Sequence, residues 1–202
     1  AGPLAGGQAV TLTGTNLTGA TAVTIGGTAA TSLTVVNDTT VTAVTPSGTA
    51  GAKNVVITTP GGNATLTNGY TYVAAPSLSA LSPDKGTHAG GTSVTLTGNN
   101  LTGATAVTFN GVAAASFTVN SATSITAVSP PGLAGVKTVA VVTPGGSANR
   151  NFIYEATVTS VMPAFGPVSG GTSITVTGSG FTGLTGLSIT TLSEALPEAL
   201  KP

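Results

Sequence analysis

Apolar and polar residues alternate in short runs along most of this chain. Val10–Thr13, Val94–Thr97 and Ile174–Thr177 each place apolar residues and Thr at alternate positions. A period of two gives a strand one buried face and one exposed face. The β-branched residues Val, Ile and Thr dominate these runs, as β-strands prefer, and turn residues separate the runs about every ten residues. The pattern predicts an all-β protein built from β-sandwiches of the immunoglobulin type.

The same succession of strands and turns occurs more than once. Residues 5–27 and 89–111 are nearly identical, and residues 169–189 repeat them in a more divergent form. An interval of about 80 residues is too long for a solenoid unit and suits a small domain with its own core. The sequence therefore predicts tandem domains, two near-complete and one partial. They are residues 1–74, which lack the opening strand, residues 75–156, and residues 157–202, whose tail from Thr190 onwards matches neither other copy.

The inward positions of the strands define the expected cores. In the second copy they are Val94, Leu96, Leu101, Val107, Phe109, Ile125, Val139, Val141, Phe152 and Tyr154. In the first copy the equivalent residues are Val10, Leu12, Leu17, Val23, Ile25, Val41, Val55, Ile57, Tyr70 and Tyr72.

The second copy also contains several motifs in a fixed order. They are Pro83, Gly86, Gly90-Gly91-Thr92, Val94-Thr95-Leu96-Thr97-Gly98, Asn100-Leu101, Asn110-Gly111, Gly145-Gly146 and Phe152-x-Tyr154. In these residues the chain resembles the IPT/TIG family of immunoglobulin-like domains, and the third copy retains the opening motif from Pro163 to Thr172. The resemblance implies sandwiches without an inter-sheet disulfide and without catalytic residues. It also implies settings such as bacterial cell-surface and adhesin-like proteins.

Charge and cysteine content exclude several classes of function. Charged residues make up 5% of the chain, with five Lys and Arg, five Asp and Glu, and no Cys. Nucleic-acid binding needs clustered basic residues, and zinc sites of the Cys type and disulfides need Cys. Every apolar run is too short for a membrane helix. We therefore expect no nucleic-acid partner, no membrane insertion, no metal and no cofactor.

Two features have the form of a catalytic or nucleotide-binding motif. Gly178–Gly183 has the spacing G-x-G-x-x-G, but a β-like segment follows it where a dinucleotide loop requires a helix. Because Gly180 aligns with Asn16 and Asn100, a turn with positive φ explains it better. His88, the single histidine, lies in a glycine-rich loop and is expected in a solvated turn without the partner that a catalytic base needs.

Other polar and aromatic residues have a plain structural explanation. Asp38, Asp84 and Glu155 differ in position between copies and do not form the cluster that calcium requires, although a site between domains that uses Glu155 remains an alternative. Tyr70 is the best candidate for a sugar-stacking ring, with core packing favoured. The N-x-T sequons are at Asn16, Asn37, Asn63 and Asn100.

The outward positions are mostly Thr and Ser, so the sheets have few charges to protect their edges from pairing with other chains. We expect a non-catalytic structural or adhesive module of an extracellular repeat protein, acting as a spacer or assembly unit at a cell surface or in a filament. The expected partners are proteins, including other copies that pair through sheet edges or incomplete end repeats. The alternative is a carbohydrate-binding accessory module of a secreted polysaccharide-active enzyme, with glycans as partners. The sequence assigns no catalytic, cofactor-binding or metal-binding residue, and the ligand-binding residues are unknown.

Overall fold

The computed structural model describes residues 1–182 and 185–189, and every regular element within them is a β-strand. The strands occur where the alternating runs predicted them, and the tandem arrangement of β-sandwiches is confirmed. The predicted tail, residues 190–202, lies outside the described residues.

Repeat one consists of two facing sheets. Its strands are β1 (Gly2–Pro3), β2 (Ala9–Thr13), β3 (Ala22–Ile25), β4 (Thr28–Ala29), β5 (Thr31–Asn37), β6 (Thr40–Val44), β7 (Gly51–Thr59) and β8 (Gly62–Val73). One sheet has the order β1-β8-β7-β3-β4 and the other has the order β2-β6-β5. The two-residue strand β1 pairs in parallel with the end of β8.

Repeat two has the same plan with one additional strand. Its strands are β9 (Ser77–Ser82), β10 (Lys85–Thr87), β11 (Ser93–Asn99), β12 (Ala106–Phe109), β13 (Val112–Ala113), β14 (Ser116–Ser121), β15 (Ser124–Val128), β16 (Gly135–Thr143) and β17 (Gly146–Glu155). The sheets have the orders β10-β17-β16-β12-β13 and β14-β15-β11-β9. Strand β9 has no counterpart in repeat one, and it pairs antiparallel with β11.

In the described part of repeat three, two strands pair antiparallel as β9 and β11 do in repeat two. They are β18 (Thr157–Met162) and β19 (Thr175–Ser179). All six residues of β18 are exposed, because no second sheet covers this ribbon in the described residues.

Each of the first two repeats encloses its own core. The buried cluster of repeat two and that of repeat one share no residue. All ten core positions predicted for repeat two are buried, and Phe109 and Phe152 pack edge to face with ring centroids 5.3 Å apart. Edge-to-face packing of this kind contributes about 0.5–1.5 kcal/mol beyond the burial of area.

The core prediction for repeat one is wrong at two positions. Val10 and Leu12 are only partly buried, whereas their equivalents Val94 and Leu96 are 0% exposed. The physical reason is the absence of a strand beside β2. In repeat two, Leu81 of β9 lies opposite Leu96 and covers this end of the core, and repeat one has no residue in that place.

The predicted positive-φ turn is confirmed in all three repeats. Asn16 and Asn100 both have φ 56°, and Gly180 has φ 78°. Asn and Gly are the residues that adopt this region at least cost. These positions are therefore explained by backbone geometry and do not require a ligand.

Candidate functional site

A groove opens in repeat one between β2 and β8 and has a volume of about 680 Å³. The apolar side chains of Leu17, Ile25, Val55 and Ile57 contribute to its lining, as does residue stretch 8–15. No Asp, Glu, Lys, Arg or His side chain lines it. A groove of this composition can bury apolar side chains, and Tyr70 supplies the one titratable side chain among its lining residues.

The walls of the groove differ in character. On one side, β2 pairs only with β6 among the residues that the structure describes, whereas β11 of repeat two pairs with both β15 and β9. On the other side, Leu66 of β8 is 64% exposed. At one end, the Tyr70 hydroxyl donates to Gln8 Oε1 at 3.0 Å. The groove therefore combines a strand edge with an apolar floor.

Tyr70 is a core residue and not a sugar-stacking platform. It is 7% exposed, and it packs edge to face on Tyr72 at 5.0 Å between ring centroids. The Tyr72 hydroxyl donates to the carbonyl oxygen of Pro46, and the Tyr154 hydroxyl donates in the same way to Pro130. Burial raises the pKa of Tyr72, and the nearby Tyr70 adds to this. Burial also raises the pKa of Tyr154.

A second, more polar cavity of about 480 Å³ lies in repeat two. Asp84, Asn149, Arg150 and Asn151 line it, beside the apolar Ala80 and Leu81. Carboxylate, amide and guanidinium groups can donate to or accept from the hydroxyls of a sugar. The sequence singled out Asp84 only as an isolated acid. The amide and guanidinium groups come from β17, far along the chain, and no local motif connects them.

His88 lies where repeat two meets repeat three. Its Nε2 is 2.8 Å from Ser179 Oγ, and its ring lies against the backbone at Gly180. A serine beside a histidine has the form of a nucleophile and its base, but the base also needs a group that orients it. No carboxylate hydrogen-bonds to His88 among the residues that the structure describes. The contact therefore joins two repeats and does not form a triad.

Two of the three acids of the repeats make specific side-chain contacts. Glu155 forms an ion pair with Lys85 at 2.9 Å, and this hydrogen bond, together with the charge, raises the pKa of Lys85. Asp38 accepts a hydrogen bond from the Thr18 hydroxyl at 2.9 Å. Within residues 1–182 and 185–189, no three His, Cys, Asp or Glu side chains come close enough to hold a metal ion.

The remaining motifs of the sequence also have structural roles. The Asn100 side-chain amide donates to the carbonyl oxygen of Ala75 at 2.9 Å and so joins repeat two to the segment that connects it to repeat one. Asn37 accepts hydrogen bonds from the backbone and the hydroxyl of Thr39 in a local turn. In the G-x-G-x-x-G motif, Gly178 lies in strand β19, and Gly180 follows that strand with a positive φ. Gly183 lies outside the described residues.

Sequence reasoning missed the groove as a site. No helix in the described part of the chain has the length and hydropathy to cross a membrane.

Two facing sheets, a separate core in each repeat and positive-φ asparagines at the same corner define a tandem array of immunoglobulin-like domains. The sequence matches the IPT/TIG domain over residues 1–74, 76–154 and 156–194, and the chain belongs to this family. A comparison with curated proteins finds no match. The proposed boundaries of the three domains, 1–74, 75–156 and 157–202, stay a prediction.

Solved structures resemble this chain at low sequence identity. The extracellular region of plexin A4, domains 1 to 10, is 24% identical with a TM-score of 0.52, over 88% of this chain and 17% of that one. SGBP-B from a xyloglucan utilization locus in Bacteroides uniformis is 19% identical with a TM-score of 0.39, over 79% and 51%. The surface glycan-binding protein PbSGBP-B from Prevotella bryantii is 20% identical with a TM-score of 0.36, over 73% and 36%. The chain thus spans about half the length of these proteins, or less.

Proposed function

We propose that this chain is a non-catalytic structural module of an extracellular repeat protein, and that it acts as a spacer or assembly unit. The observation that carries the proposal is the pair of separate cores, joined end to end by specific contacts. Repeats one and two each enclose a separate buried cluster, so adding a repeat adds length to the chain without enlarging a common core.

The junction between repeats one and two supports a spacer that holds its shape. Asn100 donates to the Ala75 carbonyl oxygen, and Gly145 lies so close to the carbonyl of Ala74 that no side chain could replace its hydrogen. These two contacts between turns of repeat two and the connecting segment restrict bending there. The sparse charge, 5% of residues, and the Thr-rich outer faces favour contact with other proteins over chemistry. The cell-surface setting that the family resemblance implies supports the extracellular location.

Small-angle X-ray scattering of the chain tests the spacer role. A single compact globule of this length would have a radius of gyration of about 17 Å. We expect a clearly larger value and a distance distribution with the long tail of a rod. A value near that of the globule would contradict the proposal.

A matched pair of variants tests the junction. Asn100→Gly keeps the positive-φ turn but removes the hydrogen bond to Ala75. Asn16→Gly makes the same change in repeat one, where the side chain has no hydrogen bond to any of the described residues. We expect only Asn100→Gly to broaden the distance distribution. Equal distributions for the two variants would show that this bond does not hold the junction.

The alternative, a carbohydrate-binding module, is favoured by the polar cavity that Asp84 and Arg150 line in repeat two. If it is correct, a glycan array identifies a ligand, and Arg150→Ala lowers its affinity, while Lys53→Ala in repeat one, outside that cavity, does not. An array without any bound glycan would contradict this alternative and leave the spacer role unaffected.

A further inference from the structure

A further cavity, of about 460 Å³, opens in repeat one between the β3–β4 hairpin and the loop that joins β6 to β7. We call it the lysine cup. All of its lining residues fall between positions 25 and 72. The lining combines two core residues with one lysine and three hydroxyl residues, which are Ile25, Tyr72, Lys53, Thr28, Ser47 and Thr49. The volume of the lysine cup lies within the range of small-molecule sites.

Lys53 is the single charged residue in the lining of the lysine cup. On β7 it shares the inward face with Val55 and Ile57, and it is half-buried there. Its aliphatic stem packs beside the hairpin, because a Cβ built at Gly26 would lie 3.2 Å from Lys53 Cδ. No acidic side chain among the described residues forms an ion pair with its ammonium group. The lysine cup therefore presents a positive charge that a bound anion can neutralise.

Repeat two has the same lysine in different surroundings. Lys137 occupies the position of Lys53, on the inward face of β16, and it is half-buried as well. The three hydroxyl positions of the lysine cup are apolar in repeat two, where Val112, Pro131 and Leu133 stand in place of Thr28, Ser47 and Thr49. Both sets of residues occur in the same fold, so folding does not require the hydroxyls. A ligand with several hydrogen-bonding groups gives them a role.

The loop that carries Ser47 and Thr49 is held against the core. Gly48 lies so close to the Tyr72 ring that no Cβ fits there, and the Tyr72 hydroxyl donates to the Pro46 carbonyl oxygen at 2.6 Å. The backbone on this side of the lysine cup is therefore fixed before a ligand arrives. A preformed wall of this kind reduces the ordering cost of binding.

We propose that the lysine cup binds a uronic acid residue of an acidic polysaccharide. The Lys53 ammonium pairs with the sugar carboxylate, and the hydroxyls of the lysine cup exchange hydrogen bonds with the sugar hydroxyls, since each can both donate and accept. An acidic peptide side chain would use the positive charge and leave the hydroxyls without matching groups, so the lining favours the sugar acid. The site goes beyond the spacer role, and it is separate from the cavity that Arg150 lines in repeat two.

Nuclear magnetic resonance titration of the full, isotope-labelled chain tests the proposal with two matched sugars. Methyl β-D-glucuronide and methyl β-D-glucoside differ only in a carboxylate that replaces a hydroxymethyl group. We expect the glucuronide to shift the amide signals of Gly26, Gly48 and Lys53 in a saturable way, with a millimolar dissociation constant. We expect binding of the neutral glucoside to be weaker by about fivefold, since it lacks the ion pair. Added salt should weaken the binding of the glucuronide, because it screens this pair.

Three variants separate the charge from its surroundings. Lys53→Ala should weaken binding of the glucuronide by about fivefold, whereas Lys137→Ala removes the equivalent charge in repeat two and should leave binding unchanged. The double variant with Ser47→Pro and Thr49→Leu keeps the lysine and introduces the residues that repeat two has in the same loop. We expect it to fold, because repeat two accommodates these residues, and to bind the glucuronide more weakly than the unmodified chain. Circular dichroism and the thermal midpoint of each variant monitor folding.

Four results would overturn the proposal. They are a glucuronide that causes no saturable shifts, a glucoside that binds equally well, binding that survives Lys53→Ala, and a glutamate-containing peptide that binds more tightly than the glucuronide. Binding that is lost in Arg150→Ala and not in Lys53→Ala would also contradict it, because the ligand would then lie in the cavity of repeat two. The spacer role rests on the scattering profile and stands or falls independently of these results.

Discussion

Truncating the same leucine in each repeat should have very different costs. Leu96 is 0% exposed, and Leu81 of β9 lies opposite it. Its equivalent Leu12 is partly buried at the edge of the groove. We expect Leu96→Ala to lower the free energy of unfolding of repeat two by about 2–5 kcal/mol, since lost transfer energy and a sealed cavity add together. Leu12→Ala removes less buried area and leaves no sealed cavity, so we expect a loss of about 1 kcal/mol.

Hydrogen exchange with mass spectrometry, at a concentration where the chain is monomeric, measures the two losses separately. Peptides from β15 and β16 report on repeat two, and peptides from β6 and β7 report on repeat one. A difference of about 2 kcal/mol corresponds to roughly 30-fold in the opening equilibrium, well within the range of the method. Equal losses would refute the claim that β9 seals one core and that its absence leaves the other open.

Three further predictions concern hydroxyls and glycine. Tyr154→Phe removes the hydrogen bond to the buried Pro130 carbonyl, and we expect thermal unfolding to show a loss of about 1–3 kcal/mol in repeat two; an unchanged midpoint would contradict this. Because the pKa values of Tyr72 and Tyr154 are raised in the folded state, folding retains protons that the unfolded chain loses, so the contribution of these two phenols to stability should be constant below about pH 10 and fall as pH rises beyond it. A denaturant series that shows rising stability in that range would contradict the burial of these phenols. Gly98→Ala forces a Cβ against the Ser77 carbonyl of β9 and should lower the free energy of unfolding of repeat two by about 1–3 kcal/mol, as measured by urea unfolding. An unchanged free energy would contradict the close approach of β9 to Gly98.

The alternation of apolar and polar residues, together with the repeated sequence, was sufficient to predict the strands, the corner turns and most of the core residues. The alignment of Asn16, Asn100 and Gly180 predicted a positive-φ turn because these residue types share one backbone preference. The core prediction failed at Val10 and Leu12 for a reason that lies outside their own strand. Burial of a strand residue depends on the neighbouring strand, and the pattern of β2 alone does not reveal whether a neighbour is present.

Contacts between distant segments were beyond prediction from the sequence. His88 and Ser179 meet across two repeats, 91 residues apart, and no local pattern relates them. The polar cavity likewise combines Asp84 with residues of β17 that the topology alone brings together.

The central claim is that repeats one and two each close their own interior between two β-sheets. Native-state hydrogen exchange of the unmodified monomer across a series of denaturant concentrations tests it most directly. Our account predicts two opening free energies, one shared by β3, β6 and β7 and another shared by β12, β15 and β16, each with the denaturant dependence of a single domain. A single opening that exposes all six strands together would show one common core and would contradict the account.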